Sequence, residues 1–412
     1  MLQYSASKLE SPYPFVPLES VVEFIRNGAS IKQEDDAGGL PITRIETISN
    51  HVIDSDKVGY AGILPGEHDD YLLEKGDILF SHINSTKHIG KCALYGGMPE
   101  ILVHGMNLLC VRPKHEVISS NYLLAAIRHP IFKVQLSKII KPSVNQSSVT
   151  VSHLKTLKIP LPPLPIQKQI AALLEKADTL RSQCKQMEQE LNQLAQSVFL
   201  EMFGDYRKSD VSVTPLGEIA DVCSGVTKGQ NLEGKETVIA PYMRVANVQD
   251  GHIDLSEIKK IEAKKSDYEK YLLEVGDVLL TEGGDFDKLG RGAVWEGKVS
   301  NCIHQNHVFR VRLNHEHLPK YFEYLLQTPY AKQYFLKCAK KTTNLASINI
   351  TQLKALPVPK EEKEDQQRFV DFIEMRDKKM ESLKKTQSYY EDLFNSLMQR
   401  AFSGKLNLTK AA

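Results

Sequence analysis

The segment Tyr71–Ser81, YLLEKGDILFS, returns 200 residues later as Tyr271–Thr281, YLLEVGDVLLT, and this match decides the fold. Neighbouring positions keep the same offset, because Arg44 corresponds to Arg244 and Lys91 to Arg291. Further along, SHLKTLKIP at 152–160 corresponds to TQLKALPVP at 351–359. Self-similarity at a fixed long period indicates an internal repeat. Two copies of one unit therefore account for nearly all of the 412 residues.

Each copy is predicted to be an α+β domain. Short apolar runs such as DILFS at 77–81 and LLCVRP at 108–113 are separated by Gly and Asn turns and indicate strands. The later stretches 121–140 and 320–338 indicate a pair of helices interrupted at a proline. The predicted organisation is a first domain, a helical spacer, a linker, a second domain and a C-terminal helix with a tail, at 1–159, 160–204, 205–214, 215–359 and 360–412.

A long helix with an apolar seam is predicted after each domain. The first seam alternates spacings of four and three residues, the heptad pattern of a coiled coil, through Ile166, Ile170, Leu173, Ala177, Leu180, Cys184, Met187, Leu191, Leu194 and Val198. The second seam is weaker and includes Leu383, Tyr390, Leu393 and Leu397. Burial against a domain surface also produces such a seam, but two equivalent helices favour mutual pairing. Because a globular domain separates them, an antiparallel coiled coil with a pseudo-twofold relation between the copies is expected.

Composition excludes several classes of protein. The chain is 42% hydrophobic and 25% charged, which is typical of soluble globular proteins. Its 52 Lys and Arg against 51 Asp and Glu leave a net charge of +1, so no polycationic tail is present. The N-terminal segment lacks the basic start and apolar centre of a signal peptide, and six scattered cysteines form no C-x-x-C pair. We expect a cytoplasmic protein with reduced thiols and no membrane partner.

Several patterns imitate catalytic or metal sites without completing one. The chain has no [DN]-P-P-[FY] tetrad or F-x-G-x-G loop, which an amino-methyltransferase would need. GQNLEGKE at 229–236 ends in Glu236 where a phosphate loop has Ser or Thr. Two further sets are incomplete, namely Asp285 or Asp287 with Glu296 and Lys298, and Cys302 with His304 and His307. These patterns therefore predict no methyltransferase site, phosphate loop, nuclease site or metal site in this chain.

Local charge indicates the kind of ligand. Residues 117–174 contain seven basic residues and no acidic one, and residues 324–360 contain six and none. Such segments can neutralise phosphates, although a solvated helix face would have the same composition. The recurrence in both copies favours nucleic acid binding.

Polar loops supply the candidate contacts. KPSVNQSS at 141–148 and KKTTNLAS at 340–347 contain Asn, which bonds an adenine edge, and Lys, which holds the backbone. The loops 81–91 and 281–291 follow the Gly-Asp strands and differ between copies although the strands agree. The candidate DNA-binding residues are Arg44, Ser81, His82, Asn84, Lys87, Lys91, Lys141, Asn145, Gln146, Arg244, Lys288, Arg291, Lys340, Lys341, Thr343 and Asn344.

Four kinds of motif mark the chain, namely the G-D-[IV]-L strands at 76–79 and 276–279, the L-x-x-L-x-[IV]-P segments at 154–160 and 353–359, the PLPPLPIQ helix start, and the helix ends at Gly204 and Gly404. Through this combination the chain resembles the specificity subunits of type I restriction-modification systems over almost its whole length. The second helix start, KEEKEDQQ, departs from the proline-rich form.

The resemblance implies two target-recognition domains that read the two halves of an asymmetric bipartite site in double-stranded DNA. It implies a coiled coil that sets the half-site spacing and docks two modification (methyltransferase) subunits, with two restriction subunits in the full complex. By the same resemblance this chain would have no catalytic centre and no cofactor, and S-adenosylmethionine, ATP and Mg²⁺ would belong to those partners. Two alternatives are a self-sufficient restriction enzyme and a coiled-coil adaptor that binds proteins through its repeated domains.

Overall fold

The computed structural model describes residues 11–33, 38–143, 146–208, 210–341 and 346–406. These residues form two compact units. Unit 1 comprises Met1–Cys184 with Lys385–Ala412, and unit 2 comprises Lys185–Lys384. Within the described residues, no helix is long and apolar enough to cross a membrane.

The described residues of unit 1 contain ten short strands and the first helices. The strands are β1 (Phe15–Pro17), β2 (Val22–Asn27), β3 (Pro41–Ile42), β4 (Gly59–Tyr60), β5 (Ile78–Ser81), β6 (Ile83–Asn84), β7 (Cys92–Leu94), β8 (Leu108–Pro113), β9 (Ser147–Ser148) and β10 (Lys158–Pro160). The α-helices are α1 (Leu18–Val21), α2 (Ser120–Arg128), α3 (Pro130–Ser137), α4 (Val151–Thr156) and α5 (Leu164–Phe203), and α5 continues beyond Cys184 into unit 2. The 3₁₀ turns lie at Ile45–Ile48, Ser55–Lys57 and Asp69–Tyr71.

Unit 2 repeats this order with small differences. Its strands are β11 (Val213–Pro215), β12 (Ala220–Ser224), β13 (Thr237–Met243), β14 (Lys259–Lys264), β15 (Val278–Thr281), β16 (Gly283–Gly284), β17 (Gly292–Val294), β18 (Ile303–His304), β19 (Val308–Leu313), β20 (Lys340–Lys341), β21 (Ala346–Ser347) and β22 (Pro357–Pro359). The helices are α6 (Leu216–Ile219), α7 (Lys265–Lys270), α8 (Pro319–Gln327), α9 (Pro329–Cys338), α10 (Ile350–Lys354) and α11 (Lys363–Phe402), and α11 continues beyond Lys384 into unit 1. The 3₁₀ turns lie at Val245–Asn247 and Phe286–Lys288.

A four-stranded antiparallel sheet is the centre of each unit, in the order β2-β8-β5-β7 and β12-β19-β15-β17. Successive side chains of a strand point to opposite faces. Ile78 and Phe80 accordingly enter one core cluster and Leu79 a second one on the other face. Val278 and Leu280 are separated from Leu279 in the same way. The predicted α+β repeat is therefore confirmed, including the helix pair that breaks at Pro130 and Pro329.

The repeated Gly-Asp motif stabilises this sheet. Asp77 is 1% exposed and accepts hydrogen bonds from Arg112 Nε at 2.9 Å and Nη2 at 2.8 Å, while its Oδ2 also accepts from the backbone N–H of Glu74. Asp277 makes the same contacts with Arg312, at 2.7 and 2.8 Å. Gly76 precedes Asp77 at φ +104°, a conformation that favours glycine. The motif that reveals the repeat is thus part of the scaffold.

A buried glutamine fixes the start of each long helix. Gln167 Oε1 accepts from the N–H of Ser119 at 2.9 Å, and its Nε2 donates to the carbonyls of Val117 and Pro162. Gln366 makes the equivalent three bonds in unit 2. Both helices contain 40 residues and begin at equivalent positions, although the proline-rich start is present only in the first.

The long helices run antiparallel in both units. In unit 1, Leu174 of α5 shares a core with Met398 of α11, and Arg181 pairs with Glu391 at 3.0 Å. Later residues of α5 therefore contact earlier residues of α11. Unit 2 has the same direction, because Asn192 accepts a hydrogen bond from Arg376 and the aromatic ring centroids of Phe199 and Phe369 lie 5.2 Å apart.

The buried stripe of α5 differs from the predicted seam in its second half. Met187 and Leu194 are 43% and 45% exposed, whereas Ala195 and Phe199 are buried. A regular α-helix has 3.6 residues per turn and drifts about 20° per heptad from a strict 3.5 repeat, so the buried face moves one position along the sequence. Of the other seam residues, four are buried (Ile170, Ala177, Cys184 and Leu383), and eight are half-buried (Ile166, Leu173, Leu180, Leu191, Val198, Tyr390, Leu393 and Leu397).

Candidate nucleic-acid interface

In unit 1 the sheet topology brings two predicted loops together. Strand β6, in the loop 81–91, pairs with β9, so that Asn84 faces Ser147. Thr86 Oγ1 lies 2.8 Å from Ser147 Oγ, and Lys141 forms a backbone bridge with Ser148. Two segments separated by about sixty residues in sequence therefore lie together, and their contact with DNA stays a prediction.

Unit 2 forms the same arrangement with different residues. Strand β16, in the loop 281–291, pairs with β21, and β21 pairs with β20. Ser347 thus lies between Gly283 on one side and Lys340 on the other. The loop 81–91 with Lys141 and β9 is called the first cluster. The loop 281–291 with β20 and β21 is called the second cluster.

A cleft lies beside each cluster, next to the 3₁₀ turn that follows the repeated arginine. The first cleft has a volume of about 160 Å³ and includes Ile45, Ser81, Asn84 and Lys91. The second has a volume of about 590 Å³ and is lined by Val245, Glu282, Gly283, Gly284, His307, Lys340, Ala346 and Ser347. Both clefts are open to a ligand that approaches the cluster, and the second is the larger.

The repeated arginines are held by protein groups. Arg44 Nε donates to Gln33 Oε1 at 2.7 Å, and the backbone N–H of Arg44 bonds Thr47. Arg244 donates to both the backbone carbonyl and the carboxylate of Glu257 at 3.0 Å. In the structure these two side chains shape the turns beside the clefts. Their assignment to DNA stays a prediction.

Two candidates in the first cluster are buried. Ser81 is 1% and His82 5% exposed, so both lie beneath the loop surface. Burial lowers the pKa of His82 to about 4, which keeps the imidazole neutral at pH 7. Among the described residues, Ser81 Oγ and His82 Nδ1 have no hydrogen-bond partner. In unit 2 the corresponding Thr281 is also buried, but Glu282 is half-buried at the edge of the second cleft.

The remaining candidates differ in how accessible they are. Lys87, Lys141, Gln146 and Lys340 are exposed. Lys91 Nζ donates to the carbonyl of Ser49 at 2.8 Å, Lys288 pairs with Asp285, and Arg291 donates to Gln249 at 3.1 Å. Lys341 belongs to β20, whereas Asn145, Thr343 and Asn344 lie outside the described residues.

The patterns that imitate metal sites have other roles in the structure. His304 is fully buried, and its Nδ1 lies 2.7 Å from the carbonyl of Val308, to which it donates. His104 contacts the carbonyl of Leu108 at 3.0 Å through its other ring nitrogen, Nε2, and burial lowers the pKa of both histidines to about 4. In the described part of the chain, no three His, Cys, Asp or Glu side chains are grouped to hold a metal ion. Lys298 pairs with the neighbouring Glu296.

Sequence reasoning missed several residues that line or support the clefts. Glu282 and His307 line the second cleft but were not among the DNA-binding candidates. An acidic side chain argues against phosphate contact, and residue 307 is distant in sequence from the loop. Thr86 and Ser147 form the side-chain contact between segments in unit 1. The 200-residue offset that relates His104 to His304 was available as a signal of their shared structural role.

Residues 10–195 and 208–388 match the family model of the type I restriction modification DNA specificity domain. The chain is 45% identical to the putative type I restriction enzyme MjaX specificity subunit of Methanocaldococcus jannaschii over 207 residues, which is 50% of this chain and 49% of that protein. It is 23% identical to the type I restriction enzyme EcoKI specificity subunit of Escherichia coli K12 over 98% of this chain and 91% of that one.

Solved structures share the architecture. The S subunit of a type I restriction-modification system from M. genitalium aligns with a TM-score of 0.57 at 14% identity, over 97% of this chain and 98% of that one. A chain from a study of complex assembly and conformational transition in a type I system aligns with a TM-score of 0.57 at 17% identity, over 96% and 99%. At such identities the likeness shows the fold.

Proposed function

The chain belongs to the type I restriction-modification DNA specificity family, and from this premise we propose that it directs such a system to its DNA sequence. The first cluster contacts one half of an asymmetric bipartite site in double-stranded DNA, and the second cluster contacts the other half. Exposed lysines hold the phosphate backbone, while polar side chains of the clefts reach base edges.

The observation that supports this proposal is one frame built twice with different contact residues. Both units pair the loop after the Gly-Asp strand with the segment that follows the helix pair. The paired strands are Ile83–Asn84 with Ser147–Ser148 in unit 1, and Gly283–Gly284 with Ala346–Ser347 in unit 2. A shared frame with different side chains is what two half-sites of different sequence require.

In this proposal the catalytic chemistry belongs to partner subunits. Two modification subunits supply S-adenosylmethionine-dependent methyl transfer, and two restriction subunits supply ATP- and Mg²⁺-dependent cleavage. Helices α5 and α11 set the distance between the half-sites and dock the modification subunits. The purified chain is expected to neither methylate nor cut DNA, and the location of the complex is the cytoplasm.

A domain exchange tests the assignment of one half-site to each unit. Residues 15–159 are replaced by the equivalent domain of a relative, and the methylated motif of cells carrying the whole system is determined by methylation-sensitive sequencing. One half of the motif should change, while the other half stays as in the parent. A change in both halves refutes modular recognition.

A gel shift tests DNA binding itself. The chain is mixed with duplex DNA with and without the modification subunits. If no duplex is retained by the assembled complex, the chain is an adaptor for proteins and the proposed function is wrong. Methyl transfer or cleavage by the contaminant-free chain would contradict the non-catalytic assignment.

A further inference from the structure

The second cluster contains a carboxylate in a position where a DNA-binding surface would normally have a basic or a neutral side chain. Glu282 lines the second cleft together with Lys340 and Ser347. Phosphates repel an acidic side chain, so Glu282 opposes the non-specific part of DNA binding. Its presence requires either a structural role or a ligand atom that donates a hydrogen bond.

The backbone of Glu282 is held from both sides. Its N–H donates to the carbonyl of His307 at 3.1 Å, and its carbonyl accepts from the N–H of Ile348 at 2.9 Å. One neighbour precedes β19 and the other follows β21, so the position is fixed by the sheet frame and not by the loop alone. A side chain on such a rigid support can be aimed with the accuracy that base recognition needs.

The carboxylate is oriented by one partner and leaves one oxygen available. His307 Nδ1 donates to Glu282 Oε2. Among the described residues, no hydrogen bond reaches Oε1, and 32% of the Glu282 side chain is exposed. Asp285, another acidic residue of this loop, is instead paired with Lys288. Glu282 therefore presents an acceptor, and no donor, to the cleft.

The two glycines beside Glu282 make the cleft accessible. Strand β16 consists of Gly283–Gly284, where unit 1 has Ile83–Asn84, and the second cleft is about 590 Å³ against about 160 Å³ for the first. No side chain of β16 stands between Glu282 and the opening. At the corresponding position in unit 1, His82 is buried.

We infer that Glu282 is a specificity-determining residue that selects a cytosine in the half-site bound by unit 2. The inference rests on the proposed function. In the major groove, guanine and thymine present acceptor atoms, which repel a carboxylate because it can only accept hydrogen bonds. Adenine has an amino donor, but its N7 acceptor lies beside that donor. Cytosine presents the N4 amino donor alone, and Glu is the side chain that accepts from it. Lys340, in the same cleft, is placed to hold an adjacent phosphate.

The test uses the full chain in complex with its modification subunits, on duplexes that carry the motif determined by sequencing. Each cytosine of the motif is replaced in turn by 2-pyrimidinone, which lacks the N4 amino group. For the wild-type complex, one cytosine in one half-site should show a loss of affinity of about 5- to 150-fold. In Glu282→Ala the same replacement should cost less than about twofold, because the acceptor is already absent.

Glu282→Gln is the conservative variant, because an amide keeps the size of the side chain and an acceptor for His307. Gln bonds adenine bidentately, so the methylated motif should relax from cytosine toward adenine at that one position. The matched control is Glu236→Gln, which removes an exposed ion pair with Lys265 in the same unit and lines no part of the second cleft. It should leave every position of the motif unchanged.

Three results separate the explanations. If no cytosine of the motif depends on its amino group in the wild type, or if Glu282→Ala shows the same dependence, the inference is overturned and Glu282 only ties the loop to His307. If both variants keep the wild-type motif while binding DNA normally, the inference also fails, but the proposed function stands. If the wild-type complex discriminates no sequence at all, the proposed function itself is wrong.

Discussion

Replacing Gln366 by leucine should destabilise unit 2 by about 2 to 4 kcal/mol. The fully buried Gln366 side chain bonds the N–H of Leu318 at 2.9 Å and the carbonyls of Glu361 at 3.0 Å and Glu316 at 3.3 Å. Glu316 is exposed, so its carbonyl can turn to water. The N–H of Leu318 and the carbonyl of Glu361 belong to half-buried residues, so the loss of a partner costs about 1 to 2 kcal/mol apiece.

Urea unfolding measured by tryptophan fluorescence gives this free energy for unit 2. Trp295 is the only tryptophan of the chain, is 2% exposed, and belongs to a core cluster of unit 2. Gln367→Leu is the control, because the neighbouring Gln367 is exposed and, within the described residues, bonds only Asp371 of the same helix, so its loss should cost less than about 0.5 kcal/mol. Equal midpoints for Gln366→Leu and the control would refute the assigned role of the buried glutamine.

Three other predictions concern pH, salt and helix length. His104 and His304 have a pKa of about 4 in the folded chain and about 6.5 when unfolded, so their burial in the neutral form is fully compatible with the fold above pH 6.5. As the pH falls toward 4, the free energy of unfolding measured in urea should decrease, by about 2 kcal/mol for each histidine at pH 5. A urea midpoint that does not change with pH would contradict this prediction. Replacing Lys340 and Lys341 by Ala should reduce the slope of log affinity against log salt by about 0.9 per lost phosphate contact, whereas an unchanged slope places them away from DNA. Inserting seven residues after Leu180 lengthens α5 by about 10 Å, so the methylated motif should gain about three spacer base pairs; unchanged spacing in an active complex would show that α5 does not set the distance.

The sequence by itself determined the repeat, the element types and the family. These follow from short-range signals, because a strand or a helix break is encoded in consecutive residues such as DILFS or the proline at 130. The repeat strengthened each of these predictions, because the same pattern occurs in both copies. The directions of the long helices also followed, because a domain between two equivalent helices favours a chain that folds back.

The sequence pattern did not predict which residues of α5 are buried in the second half of the helix. A seam of four and three spacings describes a supercoiled pair, but α5 buries Ala195 and Phe199 where the pattern placed Leu194 and Val198. The difference between 3.5 and 3.6 residues per turn is small in each heptad and accumulates with length. Only the packing partners decide which face is buried after four heptads.

Only the tertiary structure decided which candidate side chains are available to a ligand. The sequence places His82 and Glu282 at the same position of the repeat, yet the first is buried and neutral while the second reaches a cleft. Arg44 and Lys91 have the right chemistry for phosphate, but their heads are bonded to Gln33 and Ser49. These outcomes depend on contacts between residues that are distant in sequence. Sheet pairing sets those contacts, and local composition carries no record of them.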